Sequence, residues 1–521
     1  MQAFTNQEIS LLFASLSLLG AGLIFSFKGK SKLSALFIVI GSLGMAFFAA
    51  TLSPWLQMWD EQFHALVARN MISDPFTPRL FPHEPIYSNH NDWAYTYIWL
   101  HKQPFFLWIM GLSVWAFGTN YLAVRLPSIL LHALLSLITM RTGKLLFDQK
   151  TGALAAVFIS VAQFPLELLS GTYATDHNDF FFLFLISASI WAFVEYRFYN
   201  KTRFILLSGM FIGFAVLTKW LTGLLLFSGW GLMLLIFHDE RRSLEKWKDI
   251  VIAALIATVI FLPWQLYTLL AFPIESNYEF AYNTRHFFEV IEKHGGDLWY
   301  HYNAIFMLYG KPDLIPVFAI ASMILMLFTS KDRKVSMVLF VMVFVIYLFY
   351  TIAKTKMLAF CLPVAMIVYI SFANSMLFVF HLIQRKIKFG KYPAFLLLLI
   401  AVVGLSYIFL NINLIIDNNR DDNPDEVLWR KTKQAKQQYI IDNLDVLSEE
   451  KSLIFCDWPW GHIALMFYTG NEAHTFIPQE WELMNMGRSG QKVIVISRNK
   501  RPDNAKPIPN ITFIQYDYYK Q

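Results

Sequence analysis

The sequence predicts an all-α polytopic membrane protein with a small α/β domain at its C-terminal end. Apolar residues make up 56% of the 521 residues and charged residues only 15%, which is too little charge to cover a soluble protein of this size. Apolar runs of about 18 residues or more recur along the chain, and each can span a bilayer as a helix. The last part, 412–521, is polar instead, so we expect it to fold outside the membrane.

Apolarity predicts about twelve transmembrane helices, which form one domain, 1–411. The expected spans are about 9–27, 33–52, 126–147, 153–170, 180–197, two within 204–237, 249–270, 312–329, 335–352, 357–381 and 393–411. The stretch 204–237 is too long for one helix, and we place a turn in it at Lys219. Two long polar loops, 53–125 and 271–311, interrupt the series and cannot cross a membrane.

Lys and Arg residues cluster at alternate ends of successive spans. The clusters lie at 28–32, 141–150, 197–203, 241–248, 331–334 and 385–391. With twelve spans they all fall on one side of the membrane, which the positive-inside rule identifies as the cytoplasm. The two long loops, a short turn at 171–179 and the C-terminal domain then share the outer side. Because the basic residues lie in short loops between spans, the net charge of +6 does not indicate a nucleic-acid partner.

Cysteine usage and the first residues add little about the compartment. Cys361 lies in an apolar span and Cys456 in the polar tail, a spacing that indicates neither a disulfide nor a metal site. The first residues carry no basic segment, so we expect the first apolar run to be a retained span rather than a cleaved signal.

The first long loop contains two candidate helices. Residues 59–72 place apolar side chains at helical spacing, and Asp60 and Glu61 fall in the first turn, where the helix dipole favours carboxylates. Residues 104–117 are apolar but too short to span, which suits a helix lying in the membrane interface.

The polar tail is predicted to be a small α/β domain. Residues 452–456, 492–496 and 511–514 are strand-like, and 461–468 is a candidate helix between the first two of them. Two cysteines and scattered histidines give no metal-ligand spacing, so no metal site is predicted in the chain.

Seven short motifs follow one another between about 55 and 365. They are Trp59-Asp60-Glu61 with Ala68-Arg69-Asn70-Met71, His101-Lys102-Gln103-Pro104, Phe117-Gly118 through Val124-Arg125, Gly171-Thr172-Tyr173-Ala174, Leu217-Thr218-Lys219, Leu262-Pro263-Trp264 and Ala353-Lys354-Thr355-Lys356. Their order and their predicted common side of the membrane resemble the GT-C superfamily of glycosyltransferases, which use polyprenyl-phosphate sugars. The bacterial lipid A aminoarabinose transferases and the protein O-mannosyltransferases are the most similar members. The resemblance implies the GT-C fold and an integral-membrane enzyme.

The resemblance assigns residues by position. It implies that Asp60 is the essential carboxylate, with Glu61 beside it, and that a second outer loop supplies another aspartate, either Asp176 or Asp179. Lys102 matches the lysine that holds the lipid phosphate, although this chain has Lys-Gln-Pro where the family often has Lys-Pro-Pro. A relative's arginine three residues after the key aspartate is Phe63 here.

The implied reaction moves a sugar from a polyprenyl phosphate to a lipid, glycan or protein hydroxyl, with inversion, outside the plasma (inner) membrane. A carboxylate must accept the hydroxyl proton, and cations must stabilise the departing phosphate. We therefore expect Asp60, Glu61 and Asp176 to be catalytic. The expected substrate-binding residues are Lys102, Lys219, Lys354, Lys356, Arg285, His286, Arg69 and Arg125. The sequence identifies no cofactor; a divalent cation could bridge Asp60, Asp176 and a phosphate, although no ligand spacing demands one.

Other interpretations of these residues stay open. Asp60 and Glu61 can be ordinary acids at a helix N-terminus, the lysines can be residues that reach from span ends to the interface, and Asp176 can hydrate a tight turn. The whole chain could also be a transporter or flippase of a lipid-linked substrate, although transporters place charges near mid-membrane and show internal repeats. A structural or sensory membrane protein would leave the first-loop motifs without a purpose.

Overall fold

The computed structural model describes residues 4–172, 175–310, 314–387, 399–400, 402–404, 406, 409–410, 424–449, 451–499 and 507–516. The chain forms two compact units. The first consists of Met1–Leu52 and Ser128–Asp417, and the second of Ser53–Pro127 and Asn418–Gln521. The first long loop therefore belongs to the same unit as the polar tail.

The helices of the described residues are, in chain order, α1 (Asn6–Phe27), α2 (Ser31–Thr51), α3 (Asp60–Asn70), α4 (Pro104–Phe117), α5 (Tyr121–Leu146), α6 (Gln149–Ser160), α7 (Gln163–Glu167), α8 (His177–Tyr199), α9 (Thr202–Lys219), α10 (Leu225–Ile236), α11 (His238–Arg241), α12 (Leu244–Ala271), α13 (Pro273–Phe288), α14 (Tyr300–Asn303), α15 (Ile305–Tyr309), α16 (Ile315–Thr329), α17 (Arg333–Ile352), α18 (Ala365–Ile387), α19 (Pro424–Asp442), α20 (Leu444–Leu447), α21 (Gly461–Thr469) and α22 (Glu480–Arg488). Two 3-10 helices, Trp220–Leu224 and Leu358–Val364, precede α10 and α18. The strands are β1 (Leu453–Cys456), β2 (Ala473–His474), β3 (Val493–Ser497) and β4 (Ile511–Gln515).

Within the described residues, eight helical stretches are long and apolar enough to cross a membrane. They are Asn6–Phe27, Ser31–Thr51, Tyr121–Leu146, His177–Tyr199, Thr202–Ile236, Leu244–Ala271, Arg333–Ile352 and Leu358–Arg385. The protein is thus a multi-pass membrane protein, and the predicted fold class is confirmed. The stretch Thr202–Ile236 breaks after Lys219, where the sequence predicted a turn between two spans.

Three predicted spans differ from these eight. The prediction at 312–329 corresponds to α16, which has 15 residues. The prediction at 153–170 corresponds to α6, which has only 12 residues, followed by the short helix α7. Pro165 explains that break, because its ring would clash with the carbonyl of residue 161 in a continuous helix. The prediction at 393–411 lies mostly outside the described residues.

In the first unit, α8 is the most buried of the candidate spans. Buried residues make up 94% of its most apolar window, compared with 33% for α1. Asp176 caps its N-terminus, and its side chain accepts hydrogen bonds from the backbone N–H groups of Asn178 and Asp179. Such a cap satisfies donors that the first helical turn leaves open, so α8 can begin within the packed unit.

The backbone at the break between α9 and α10 has an unusual conformation. Trp220 has φ 55° and ψ −154°, a conformation that L residues rarely adopt. Gly223 allows the following 3-10 turn to pack back onto α9, since a Cβ there would lie 2.5 Å from the backbone nitrogen of Val216. This turn fixes Lys219 as the last residue of α9.

In the second unit, the first long loop folds against the polar tail. The backbone N–H of Leu56 donates to the side-chain amide oxygen of Gln437 at 3.1 Å, and the amide nitrogen of Gln437 returns a 2.8 Å hydrogen bond to the Leu56 carbonyl. The backbone N–H of Ile86 donates to Glu472. The predicted helices at 59–72 and 104–117 correspond to α3 and α4.

The tail contains a four-stranded parallel sheet with the order β2-β1-β3-β4. Strands β1 and β3 are buried on both faces almost throughout, as their continuous apolar sequences require. One face packs on a core of Leu453, Phe455, Leu483, Val493, Val495 and Ile508. Three of the four strands match predicted segments, whereas β2 has two residues and gives no sequence pattern.

Lys436 of α19 is buried in this second unit. Burial is the main reason that its pKa falls from 10.5 to about 8, and the charge of Arg498 adds to the effect. The unfolded chain therefore binds this proton more tightly between pH 8 and 10.5, and we expect the second unit to become more stable as the pH rises through that window. Lys436→Met is expected to abolish this rise, measured as the melting temperature at a series of pH values. Lys451→Met, at an exposed position of the same unit, should leave the rise intact.

Candidate active site

Asp60 and Lys102 lie together in the second unit. Asp60 is the first residue of α3, and Lys102 lies two residues before α4, which begins at Pro104. The Lys102 Nζ is 3.7 Å from Asp60 Oδ1, and the side chains are 22% and 29% exposed. A carboxylate and an ammonium group that are both in contact and accessible can bind a hydroxyl and an anion at one place.

His64 is a third member of this cluster that sequence reasoning did not select. Its Nε2 lies 3.9 Å from Asp60 Oδ1, and its ring is fully buried. The ring packs edge-on against Phe106 and Trp99, at centroid distances of 4.9 and 6.0 Å. The i, i+4 spacing of Asp60 and His64 was the available signal, because it places both on one face of α3.

Glu61 and Arg125 form a buried ion pair instead of facing the exposed side of this cluster. Both side chains are 0% exposed, and Arg125 binds the carboxylate through Nε at 2.7 Å and Nη2 at 3.0 Å. Arg125 also donates to the carbonyl oxygens of Ser53 and Trp55, at 2.6 and 2.7 Å. The catalytic role expected for Glu61 and the substrate-binding role expected for Arg125 stay predictions, and in this structure each side chain binds the other. We interpret the pair as the anchor of the 53–57 segment.

Arg69 also forms a hydrogen bond within the second unit. Its Nη1 donates to the backbone carbonyl of Met466 in α21 at 2.6 Å, and burial lowers its pKa. The side chain thus joins the first loop to the tail, and its expected role in substrate binding stays a prediction.

In the first unit, a second acid–lysine pair forms between α8 and α9. Lys219 Nζ contacts Asp179, whose side chain is 6% exposed, and lies 5.3 Å from the centroid of the Phe360 ring. Asp176 instead caps α8 through its side chain. Of the two aspartates that the sequence left open in this loop, Asp179 is the one paired with a lysine, and Asp176 is the one that holds the helix start.

The remaining predicted residues belong to the second long loop and the segment before the last 3-10 helix. Lys356 is 3% exposed and donates to the carbonyl oxygens of Tyr350 and Thr351. Burial, and next the positive charge of Lys354, lower the pKa of Lys356. Arg285 forms an exposed i, i+4 pair with Glu289 on α13, at 2.9 Å, and His286 packs against Tyr282. Aromatic rings connect Lys356 with Lys219, because Tyr350, whose carbonyl accepts from Lys356, stacks on Phe360 at 4.4 Å, and Phe360 lies beside Lys219 Nζ.

No group of three or more His, Cys, Asp or Glu side chains within the described residues could hold a metal ion. The acidic side chains of both pairs contact lysines. The divalent cation that the sequence left open therefore stays a prediction without a recognisable set of ligands in the described part of the chain.

Comparisons with known proteins bear on the fold and the enzyme class. Residues 101–267 match a family described as dolichyl-phosphate-mannose-protein mannosyltransferase, which is less than half of the chain. ArnT from Cupriavidus metallidurans, solved with undecaprenyl phosphate, is similar with a TM-score of 0.58 at 15% identity, over 88% of this chain and 85% of that chain. The chain has the GT-C fold. The fold class and the resemblance to GT-C glycosyltransferases that the motifs predicted are thus confirmed.

Two other solved structures have a similar fold. ArnT from the same organism in the apo state has a TM-score of 0.59 at 15% identity, over 88% of this chain and 91% of that chain. The archaeal oligosaccharyltransferase AglB from Archaeoglobus fulgidus, in complex with an inhibitory peptide and a dolichol-phosphate, has a TM-score of 0.54 at 12% identity, over 84% of this chain and 64% of that chain. No curated protein sequence matches the chain significantly. The family match and the structural matches agree with the predicted enzyme class, a glycosyltransferase.

Proposed function

We propose that this GT-C protein is an integral-membrane glycosyltransferase that transfers a sugar from a polyprenyl-phosphate donor to the hydroxyl of a lipid, glycan or protein acceptor. One observation carries the proposal. Asp60 and Lys102 are 3.7 Å apart and accessible, in a chain with this fold. The donor class is supported by ArnT, which was solved with undecaprenyl phosphate, and by AglB, which was solved with a dolichol-phosphate.

Asp60 is the proposed general base. Its carboxylate accepts the proton of the acceptor hydroxyl as the acceptor oxygen forms a bond to the anomeric carbon. The bond between that carbon and the phosphate oxygen breaks, and its electron pair leaves with the lipid phosphate. Attack from the face opposite the phosphate inverts the anomeric centre. His64, buried one helical turn below Asp60, is positioned to orient the carboxylate.

Lys102 is the proposed phosphate ligand. Its ammonium group carries three N–H donors, so it can contact Asp60 and a phosphate oxygen at the same time. The charge that develops on the departing phosphate is stabilised by a cation that is already in place, so the transition state gains more than the ground state. Asp60 keeps Lys102 at this position, and the lysine side chain is only partly exposed to water.

The proposed location is the outer side of a bacterial plasma membrane. The positive-inside pattern of the short loops assigns 53–125, and with it Asp60 and Lys102, to the outer face. The proposed roles of Asp176, Lys219, Lys354, Lys356, Arg285 and His286 stay predictions. The tail domain, 412–521, is proposed to lie on the same outer face.

Replacing Lys102 is expected to weaken donor binding. Lys102→Met should lower the affinity for undecaprenyl phosphate about tenfold, because a charge-assisted hydrogen bond to the phosphate is lost. Lys102→Arg should keep most of the affinity, since it retains the charge. Microscale thermophoresis of nanodisc-embedded protein measures the change, and Lys451→Met is the control for loss of one positive charge in the same unit. Equal affinities of Lys102→Met and the unsubstituted protein would remove Lys102 from this role.

The transfer reaction itself tests the proposed function. Full-length protein in nanodiscs is supplied with radiolabelled undecaprenyl-phosphate sugars, one sugar at a time, and with lipid, glycan and peptide acceptors. Label that moves from the lipid phosphate to an acceptor supports the proposal. Movement of the labelled lipid across liposome membranes, without transfer to any acceptor, would identify a flippase instead.

A further inference from the structure

Trp460 occupies a special position in the tail domain. It follows β1 through the short segment 457–460 and directly precedes α21. Its backbone has φ 62° and ψ 6°, the left-handed conformation, which is costly for a residue with a bulky side chain. Pro459 beside it is exposed, and the Trp460 side chain itself is partly exposed. A strained residue that keeps a large, partly exposed ring suggests that the ring has a purpose beyond filling the core.

The Trp460 ring contacts the residue that precedes the proposed base. Its centroid is 5.2 Å from that of Trp59, at an interplanar angle of 74°, and Trp59 is followed by Asp60. Tyr95 lies on another side at 5.6 Å. All three aromatic side chains are partly exposed. The tail domain therefore contributes one ring, and the first loop two rings, to one aromatic surface.

A series of ring contacts leads from this surface, through the buried Trp93, toward the lysine of the pair. Trp59 packs edge-on against Trp93 at 5.3 Å, and Trp93 stacks on His101 at 4.5 Å with an interplanar angle of 10°. His101 directly precedes Lys102. Each member of the Asp60–Lys102 pair is therefore preceded in the sequence by an aromatic residue of this series.

The sheet topology explains why segment 457–460 can serve a ligand. The strand order β2-β1-β3-β4 means that the chain leaves β1 first toward β2 and then crosses to β3 on the other side of β1. In parallel α/β sheets, ligands bind at the carboxyl ends of the strands where the order reverses. Segment 457–460 leaves the carboxyl end of β1 at that point, and Trp460 is its last residue.

We propose that Trp460 is a specificity residue, whose indole ring packs against the pyranose ring of a sugar held beside Asp60. This inference rests on the proposed function and adds a role for the tail domain in the site. One face of a pyranose carries C–H groups that pack on an aromatic ring, while its hydroxyls face polar groups. Aromatic rings next to a carboxylate and an ammonium provide both kinds of surface. The sugar belongs either to the lipid-linked donor or to a glycan acceptor.

Saturation-transfer NMR tests the binding without requiring transfer. Full-length protein in nanodiscs is mixed with methyl glycosides of mannose, glucose, galactose and xylose, and saturation of the pyranose ring protons is recorded. Trp460→Gly is expected to lower the transfer to the best-bound glycoside about fivefold to tenfold. Trp460→Phe should retain most of it, because a ring remains. Undecaprenyl phosphate binding should not change.

The choice of variants separates stacking from folding. Glycine adopts the left-handed conformation without cost, so Trp460→Gly relieves backbone strain while it removes the ring. Lys451→Gly is the matched control, because Lys451 has φ 59° and an exposed side chain in the same unit. Equal saturation transfer for Trp460→Gly and the unsubstituted protein would overturn the proposal, as would the lack of transfer from the unsubstituted protein to every glycoside.

Enzyme kinetics then identify the source of the sugar. A raised KM for the lipid-linked donor in Trp460→Gly would assign the ring to the donor, and a raised KM for a glycan acceptor would assign it to the acceptor. Unchanged KM values for both substrates would contradict the proposal. If glycosides bind through Trp460 but no sugar is transferred from any donor, the binding site stands and the proposed glycosyltransferase function fails.

Discussion

Asp60→Asn is expected to lower kcat about 10²- to 10⁴-fold, because general-base catalysis contributes that much when the base is in place. Asparagine has nearly the shape of aspartate but cannot accept the hydroxyl proton. The substitution also removes the negative partner of Lys102, so the affinity for the lipid phosphate should stay the same or increase. Initial rates of sugar transfer at saturating donor measure kcat, and donor titration measures affinity.

This comparison needs a folded variant, and we expect Asp60→Asn to fold because of where Asp60 lies. The carboxylate lies in the first turn of α3 and is 29% exposed, so its loss should cost only about 0.3–1 kcal/mol of helix-dipole stabilisation. Glu84→Gln removes an exposed carboxylate from the same loop and should leave kcat unchanged. Full activity of Asp60→Asn would eliminate Asp60 as the base.

Arg125→Met is expected to lower the free energy of unfolding by about 3–5 kcal/mol, the usual cost of removing one member of a buried ion pair. The change leaves the buried Glu61 carboxylate without its guanidinium partner. It also leaves the carbonyl oxygens of Ser53 and Trp55 without the donors that Arg125 provides. Unfolding of the purified protein in mixed micelles with increasing SDS measures the change.

Two comparisons show whether the loss of unfolding free energy in Arg125→Met arises because the Glu61–Arg125 pair is buried. Glu61→Gln should cost less than Arg125→Met, because glutamine keeps one acceptor for Arg125 and the hydrogen bonds of the guanidinium to the Ser53 and Trp55 carbonyls can remain. Arg285→Ala breaks a pair whose side chains are 53% and 52% exposed, and should change stability by less than about 1 kcal/mol. A small effect of Arg125→Met, similar to that of Arg285→Ala, would show that the pair does not anchor the 53–57 segment.

Much of the fold could be predicted from the sequence because its signals are local. Apolar runs mark the spans, and the length of 204–237 together with Lys219 marks the break that the structure has between α9 and α10. The two helices of the first loop also follow from apolar spacing and the acids of the first turn. Strand β2 could not be predicted, because two residues form no pattern and its place depends on pairing with β1.

The site was less predictable because its contacts are distant in sequence. Asp60 and Glu61 are adjacent, and successive residues on a helix point about 100° apart, so one can face the exposed side while the other is buried. The sequence does not show which is which, since the partner of Glu61 is Arg125, 64 residues away. In the same way, the distinction between Asp176 as a cap and Asp179 as a partner of Lys219 depends on how α8 and α9 pack.

The tail domain shows the same limit of local signals. Its strands could be predicted, but the contacts of its residues with the first loop could not, because hydrogen bonds such as that between Leu56 and Gln437 join residues 381 positions apart. Trp460 has no motif of its own. Its left-handed backbone and its contact with Trp59 became visible only in the folded chain.

The decisive measurement is the structure of the protein with undecaprenyl phosphate, determined by cryo-electron microscopy in nanodiscs. We expect a phosphate oxygen within about 4 Å of Lys102 Nζ, the range of an ion pair. Undecaprenyl phosphate bound with its phosphate at another place, while Lys102 still contacts only Asp60, would contradict this expectation.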